Sequence, residues 1–119
     1  MKKQKISIGS TEYDLLAIPQ SEVDASLSGD GEDAGGAFAC IDTGLCEIRI
    51  ANDVPLQVMI QSFFHEATHG MLYEIGQGAL SDDEGFVDAF SKQIYSLFMR
   101  NEVSKILSYL TANQAFAEV

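Results

Sequence analysis

Positive charge is scarce in this sequence: seven lysines and arginines stand against 18 aspartates and glutamates, a net charge of −11. Nucleic-acid binding draws its affinity from Lys and Arg neutralising phosphates. Lys2, Lys3 and Lys5 crowd the first five positions, so the remaining cations make no basic footprint. The same imbalance argues against an anionic membrane surface. Long hydrophobic runs are absent too, none approaching the roughly 18 residues of a membrane span. The basic start from Met1 to Lys5 is not followed by the apolar stretch of a signal peptide, and a soluble, cytoplasmic protein is the expectation. Tryptophan is missing, and there are only two cysteines, so nothing here reads as a disulfide framework. An acidic surface of this kind steers a small protein towards basic partners.

What is present is enough apolar residue for a core. At 119 residues and 46% hydrophobic content, disorder is excluded and one domain spanning 1–119 is expected. Around Gly9-Ser10, short alternating runs predict a strand, a turn and a second strand stopped by Pro19. The stretch 21–36 is polar and acidic, and reads as a flexible loop. Its Asp30-Gly31-Glu32 start imitates a calcium loop, but Ala34 and Ile41 occupy positions that need oxygen ligands.

Phe38 to Ile41 and Cys46 to Ile50 flank Asp42-Thr43-Gly44, which suits a three-residue hairpin loop with Gly44 left-handed. That register sets Cys40 opposite Cys46 and Phe38 opposite Ile48. The facing cysteines read as small buried hydrophobes rather than a disulfide in a reducing compartment. Asn52-Asp53-Val54-Pro55 then signals a helix start, with Asp53 as cap. Ile60, Phe63, Phe64, Ala67 and Met71 recur at helical spacing up to Gly76. A second helix opens at Ser81-Asp82-Asp83-Glu84, with Val87, Phe90, Ile94, Leu97 and Phe98 as its apolar stripe. It runs, with a break near Asn101, to about Leu110. The fold class is therefore α+β: a small antiparallel sheet with a hairpin, then two core helices.

One constellation carries chemistry. His65-Glu66-Ala67-Thr68-His69 is an HExxH pattern inside the first long helix. Four residues advance a helix by about one turn, so two imidazoles at i and i+4 point the same way and share one ion. Glu66 lies about 100° round the helix, beside the metal, where it can take a proton from water. These are the only two histidines in the chain. One zinc ion per chain is expected.

A catalytic zinc has three protein ligands, and no histidine remains for the third. Glu84 and Asp88, four apart on one helix face, are the candidates. Glu84 has a competing reading as the N3 glutamate of a Ser81-Asp82-Asp83-Glu84 capping box. Asp88 reads as ligand, as hydrogen-bond partner of a histidine ring, or as a solvated carboxylate. Tyr73 and Tyr95 are candidates to polarise a substrate carbonyl.

From Ala37 to Phe98 the chain resembles the compact phage and mobile-element ImmA/IrrE-like metallopeptidases. The matching pieces are Cys46-Glu47-Ile48-Arg49-Ile50, Phe64-His65-Glu66-Ala67-Thr68-His69-Gly70 and Glu84-Gly85-Phe86-Val87-Asp88-Ala89-Phe90. Thr68 replaces a glycine common in that family, and the family's second-helix asparagine is not seen here. The resemblance implies a minimal, gluzincin-like zincin fold. It further implies His65, His69 and Glu84 as zinc ligands, Glu66 as base, and a peptide or protein substrate such as a regulatory protein. The competing function is a non-catalytic acidic protein that binds a basic host or phage protein, with zinc only holding the helices together.

Overall fold

The computed structural model describes residues 3–27 and 37–115. Strands β1 (Lys3–Ile8) and β2 (Thr11–Ile18) form the expected antiparallel pair around Gly9, whose φ of 61° meets the left-handed demand of the turn. Pro19 ends β2. Residues 20–27, mostly within the stretch expected as loop, fold instead as helix α1 (Gln20–Leu27). Asp53 Oδ1 accepts from Gln20 N at 3.0 Å, and Val23 is fully buried against Ile18, Cys40 and Ala51. One apolar side chain and a cap from a distant loop are what convert this polar segment to helix. The rest of the expected loop, with Asp30-Gly31-Glu32, lies outside the described residues.

Strands β3 (Ala39–Asp42) and β4 (Glu47–Ala51) form the predicted hairpin, but in another register. Asp42 Oδ1 accepts from Leu45 N at 2.9 Å, and Cys46 rather than Gly44 is left-handed, at φ 54°. The Asp42 side chain thus holds a four-residue connection, and one extra residue shifts every pairing to the other face. Cys40 stands opposite Arg49, not Cys46, and Ile41 rather than Phe38 faces Ile48. The sheet is mixed rather than antiparallel, in order β1-β2-β4-β3, because β4 runs parallel to β2 after the α1 crossover.

Helix α2 (Leu56–Glu74) covers one face of the sheet through Ile8, Tyr13, Ile48, Ile50 and Ala67. Gly70 sets the closeness of that contact: a Cβ there would stand 3.0 Å from Cδ1 of both Ile8 and Ile41. Pro55 is the N-cap, and the expected cap, Asp53, is engaged with α1 instead. At the other end Gly76, φ 76°, closes the helix as expected; Gly76 N donates to Tyr73 O and Gln77 N to Leu72 O. Helix α3 (Gly78–Ser81) turns the chain, and α4 (Glu84–Arg100) returns along α2. The predicted break falls at Asn101, before α5 (Val103–Ala112). The α4 stripe is not core throughout: Val87 is buried, whereas Phe90, Leu97 and Phe98 are exposed. The sheet lies beyond α2, so α4 packs mainly on α2, its buried strip being Val87 and Ser91, with α3 touching it as well. Among the described residues no helix is long and apolar enough to cross a membrane.

The end of α2 is tied to the β1–β2 turn. Glu74 accepts from Ser10 N at 3.0 Å, Ser10 Oγ at 2.6 Å and Thr11 Oγ1 at 2.7 Å. A carboxylate is electrostatically misplaced at a helix C-terminus; these donors offset that. The Ser10 hydroxyl first, then Thr11 and the Ser10 amide, hold the Glu74 carboxyl below its ordinary 4.5. A folded value below the unfolded one means stabilisation present above pH 4.5 and lost as pH falls through the folded value. In thermal melts across acid pH, the wild type should therefore lose Tm more steeply than Glu74→Gln. Parallel pH profiles would show that the tie contributes nothing.

Candidate metal centre

Helix α2 places His65 and His69 one turn apart on the side turned to α4, their ring centroids 5.0 Å apart. Phe64 meets Tyr95 and Phe98, with centroids at 5.9 and 6.0 Å, while His69 meets Glu84. The two helices therefore run antiparallel, and the N-terminus of α4 arrives at the imidazoles. Glu84 Oε1 lies 2.7 Å from His69 Nε2, and Oε2 lies 3.7 Å from His65 Nε2. One ligand atom from each of the three residues falls within 4.8 Å of the others. Two imidazole nitrogens and one carboxylate are ligand types that zinc takes.

The His69 imidazole is also held from behind. Ser81 Oγ lies 3.1 Å from His69 Nδ1 and donates its own proton to His69 O at 3.4 Å. With that proton committed, the oxygen accepts from Nδ1–H, which leaves the Nε2 lone pair for an ion. Asp88 Oδ1 stands 3.8 Å from His65 Nδ1, beyond hydrogen-bond reach, and its Oδ2 accepts from Lys92 Nζ at 2.9 Å. Asp88 thus faces the ring nitrogen of His65 that Glu84 does not.

Ser81 and Glu84 do not form the expected capping box. Asp83 is the N-cap of α4, its Oδ1 accepting from Phe86 N at 3.0 Å. That shift of the helix start frees both residues for the histidines. A carboxylate in the first turn of α4 also meets the positive end of the helix dipole. Ser81 escaped notice as a site residue because Ser three residues before Glu is also the signature of a cap. Thr68 is fully buried and donates to Phe64 O at 2.7 Å, so it belongs to the α2 packing.

Glu66 is half-buried between the imidazoles and β3. Burial first, and then the charge of Glu84, push its carboxyl up to about 7. The ligand group, Glu66 and the edge strand β3 line one groove of about 1140 Å³. Tyr73 and Tyr95 line the same groove; Tyr73 is exposed, and Tyr95 is half-buried edge-on to Phe64. Cys40 also lines it, but burial raises its thiol above the ordinary value, the opposite of what a thiolate ligand needs. The chain matches no known protein family, and no curated protein or solved structure is detectably similar to it.

In zinc titration against a chromophoric chelator, the wild type should bind one ion per chain. His65→Ala, His69→Ala and Glu84→Gln should each weaken binding by at least about tenfold, and Ser81→Ala by about tenfold through the loosened imidazole. Cys40→Ser with Cys46→Ser should leave binding unchanged; loss of zinc in that pair would move the site to the hairpin. An unchanged affinity in Ser81→Ala would reduce its hydrogen bond to packing.

Proposed function

We propose that this protein is a zinc-dependent peptidase of the HExxH type, in line with its resemblance to the ImmA/IrrE-like metallopeptidases. The observation that carries the reading is Glu66, a half-buried carboxylate beside a possible metal group and facing a groove. A metal that only fastens two helices has no use for it. A zinc ion held by His65, His69 and Glu84 would supply Lewis acidity for a scissile carbonyl and lower the pKa of an attacking water. Glu66 is the carboxylate that would accept a proton from an attacking water and pass it to the leaving amine. Ser81 keeps the His69 ring from swivelling, and Asp88 stands beside the His65 ring. Tyr73 and Tyr95 are the groove-lining hydroxyls placed to hydrogen-bond an oxyanion.

The substrate is a peptide or an extended segment of a protein, a regulatory protein in the family's pattern, encountered in the cytoplasm. It lies along β3, whose outer edge accepts one more strand by backbone hydrogen bonding. The lining carboxylates of Asp82, Glu84 and Asp88, balanced by Lys92, favour basic residues near the scissile bond.

Glu66→Gln keeps shape and removes the base. It should retain one zinc per chain while cleavage of a quenched fluorescent peptide library falls by about 100-fold or more. Cleavage surviving intact, or a cellular activity indifferent to the change, would favour the acidic binding protein with structural zinc.

A further inference from the structure

Helix α5 has a strongly sided sequence, with Val103, Ile106, Leu107 and Leu110 at helical spacing, yet none of its ten residues is buried. Exposed apolar side chains run along α4 as well. Phe90, Leu97, Phe98, Ile106, Leu107 and Leu110 are each between 41% and 58% exposed. A chain of this length packs to a radius of gyration of about 13.5 Å, whereas this one measures 16.7 Å with a long axis of 57 Å. From Phe90 onward, α4 and α5 carry the apolar side chains of an arm. A helix of ten residues is marginal in water unless something covers its apolar face, the threshold being about 12–15.

We infer that the arm pairs with the arm of a second copy of this chain, making a two-fold dimer. Area is the first argument. Six large side chains at about 100 Å² each, with Met99 and Tyr109 beside them, offer about 600–800 Å² of apolar surface. That is at or above the largest patch of an ordinary monomer and close to the roughly 800 Å² each partner gives to a stable interface. Charge is the second. Two molecules at −11 repel over most of their surface, but residues 89–112 hold three of the seven basic residues (Lys92, Arg100, Lys105) and one of the 18 acidic ones (Glu102). The arm is where two copies meet with the least like-charge repulsion, and an isologous pairing covers both stripes at once. Leu107 and Leu110 on α5 do not line the groove, so substituting them tests the pairing without touching the histidines or Glu84.

Sedimentation equilibrium of the full chain at about 50 µM, well above a micromolar Kd, should give twice the chain mass of 12.9 kDa. Leu107→Glu with Leu110→Glu should return the mass to one chain with zinc affinity unchanged. Arg100→Glu with Lys105→Glu, which leaves the apolar stripe intact, should weaken dimerisation at low salt and recover at high salt. A wild-type mass of one chain overturns the inference. So does a doubled mass that survives the leucine pair, or a wild-type monomer that associates only with lipid vesicles.

Discussion

The structure is organised around delivering one carboxylate to two imidazoles. His65 and His69 share a direction because a helix repeats in about one turn every four residues, but that leaves a site with two ligands and no charge. Glu84 supplies the charge, 2.7 Å from one imidazole and 3.7 Å from the other. It reaches them only because α2 stops at Gly76, α3 turns the chain, and Asp83 starts α4 one residue before Glu84. Glu66, Glu84 and Asp88 then stand in one groove with Lys92 as counter-charge. An arrangement with more negative than positive groups at close range is one that a divalent cation relieves.

Rigidity behind the site comes from the sheet. Gly70 brings α2 down onto Ile8 and Ile41, directly after His69, and the Glu74 tie fixes the following turn to the β1–β2 connection. Ser81 links α3 to His69 from the other side. The His69 imidazole is thus held by packing beneath and hydrogen bonding behind, and both histidines line the groove. β3 is the edge strand of the sheet among the described residues and lies on the opposite wall, so one wall carries acid groups and the other a strand edge.

The HExxH helix, its glycine stop, the first hairpin and the break at Asn101 were legible because each rests on local chemistry: spacing, a left-handed residue, a helix breaker. Glu84 was legible only as one of two readings, since a zinc ligand and a capping glutamate use the same residue type near a helix start. What separates them is which aspartate caps α4, and adjacent aspartates look alike in sequence. The β3–β4 register failed for a similar reason. Asp42 makes a side-chain turn that adds one residue to the loop, and with period two that moves Cys40 to the other face. Helix α1 depends on Asp53 and Val23 meeting elements far along the chain, which local composition does not report. The α4 stripe shows that periodicity establishes an apolar face without naming what covers it.

X-ray absorption at the zinc edge of the metal-loaded protein tests the central claim directly. The account predicts one zinc with only nitrogen and oxygen neighbours at about 2.0–2.2 Å, including the scattering pattern of two imidazoles. A sulfur shell at about 2.3 Å, or a chain that retains no zinc at all, would contradict it.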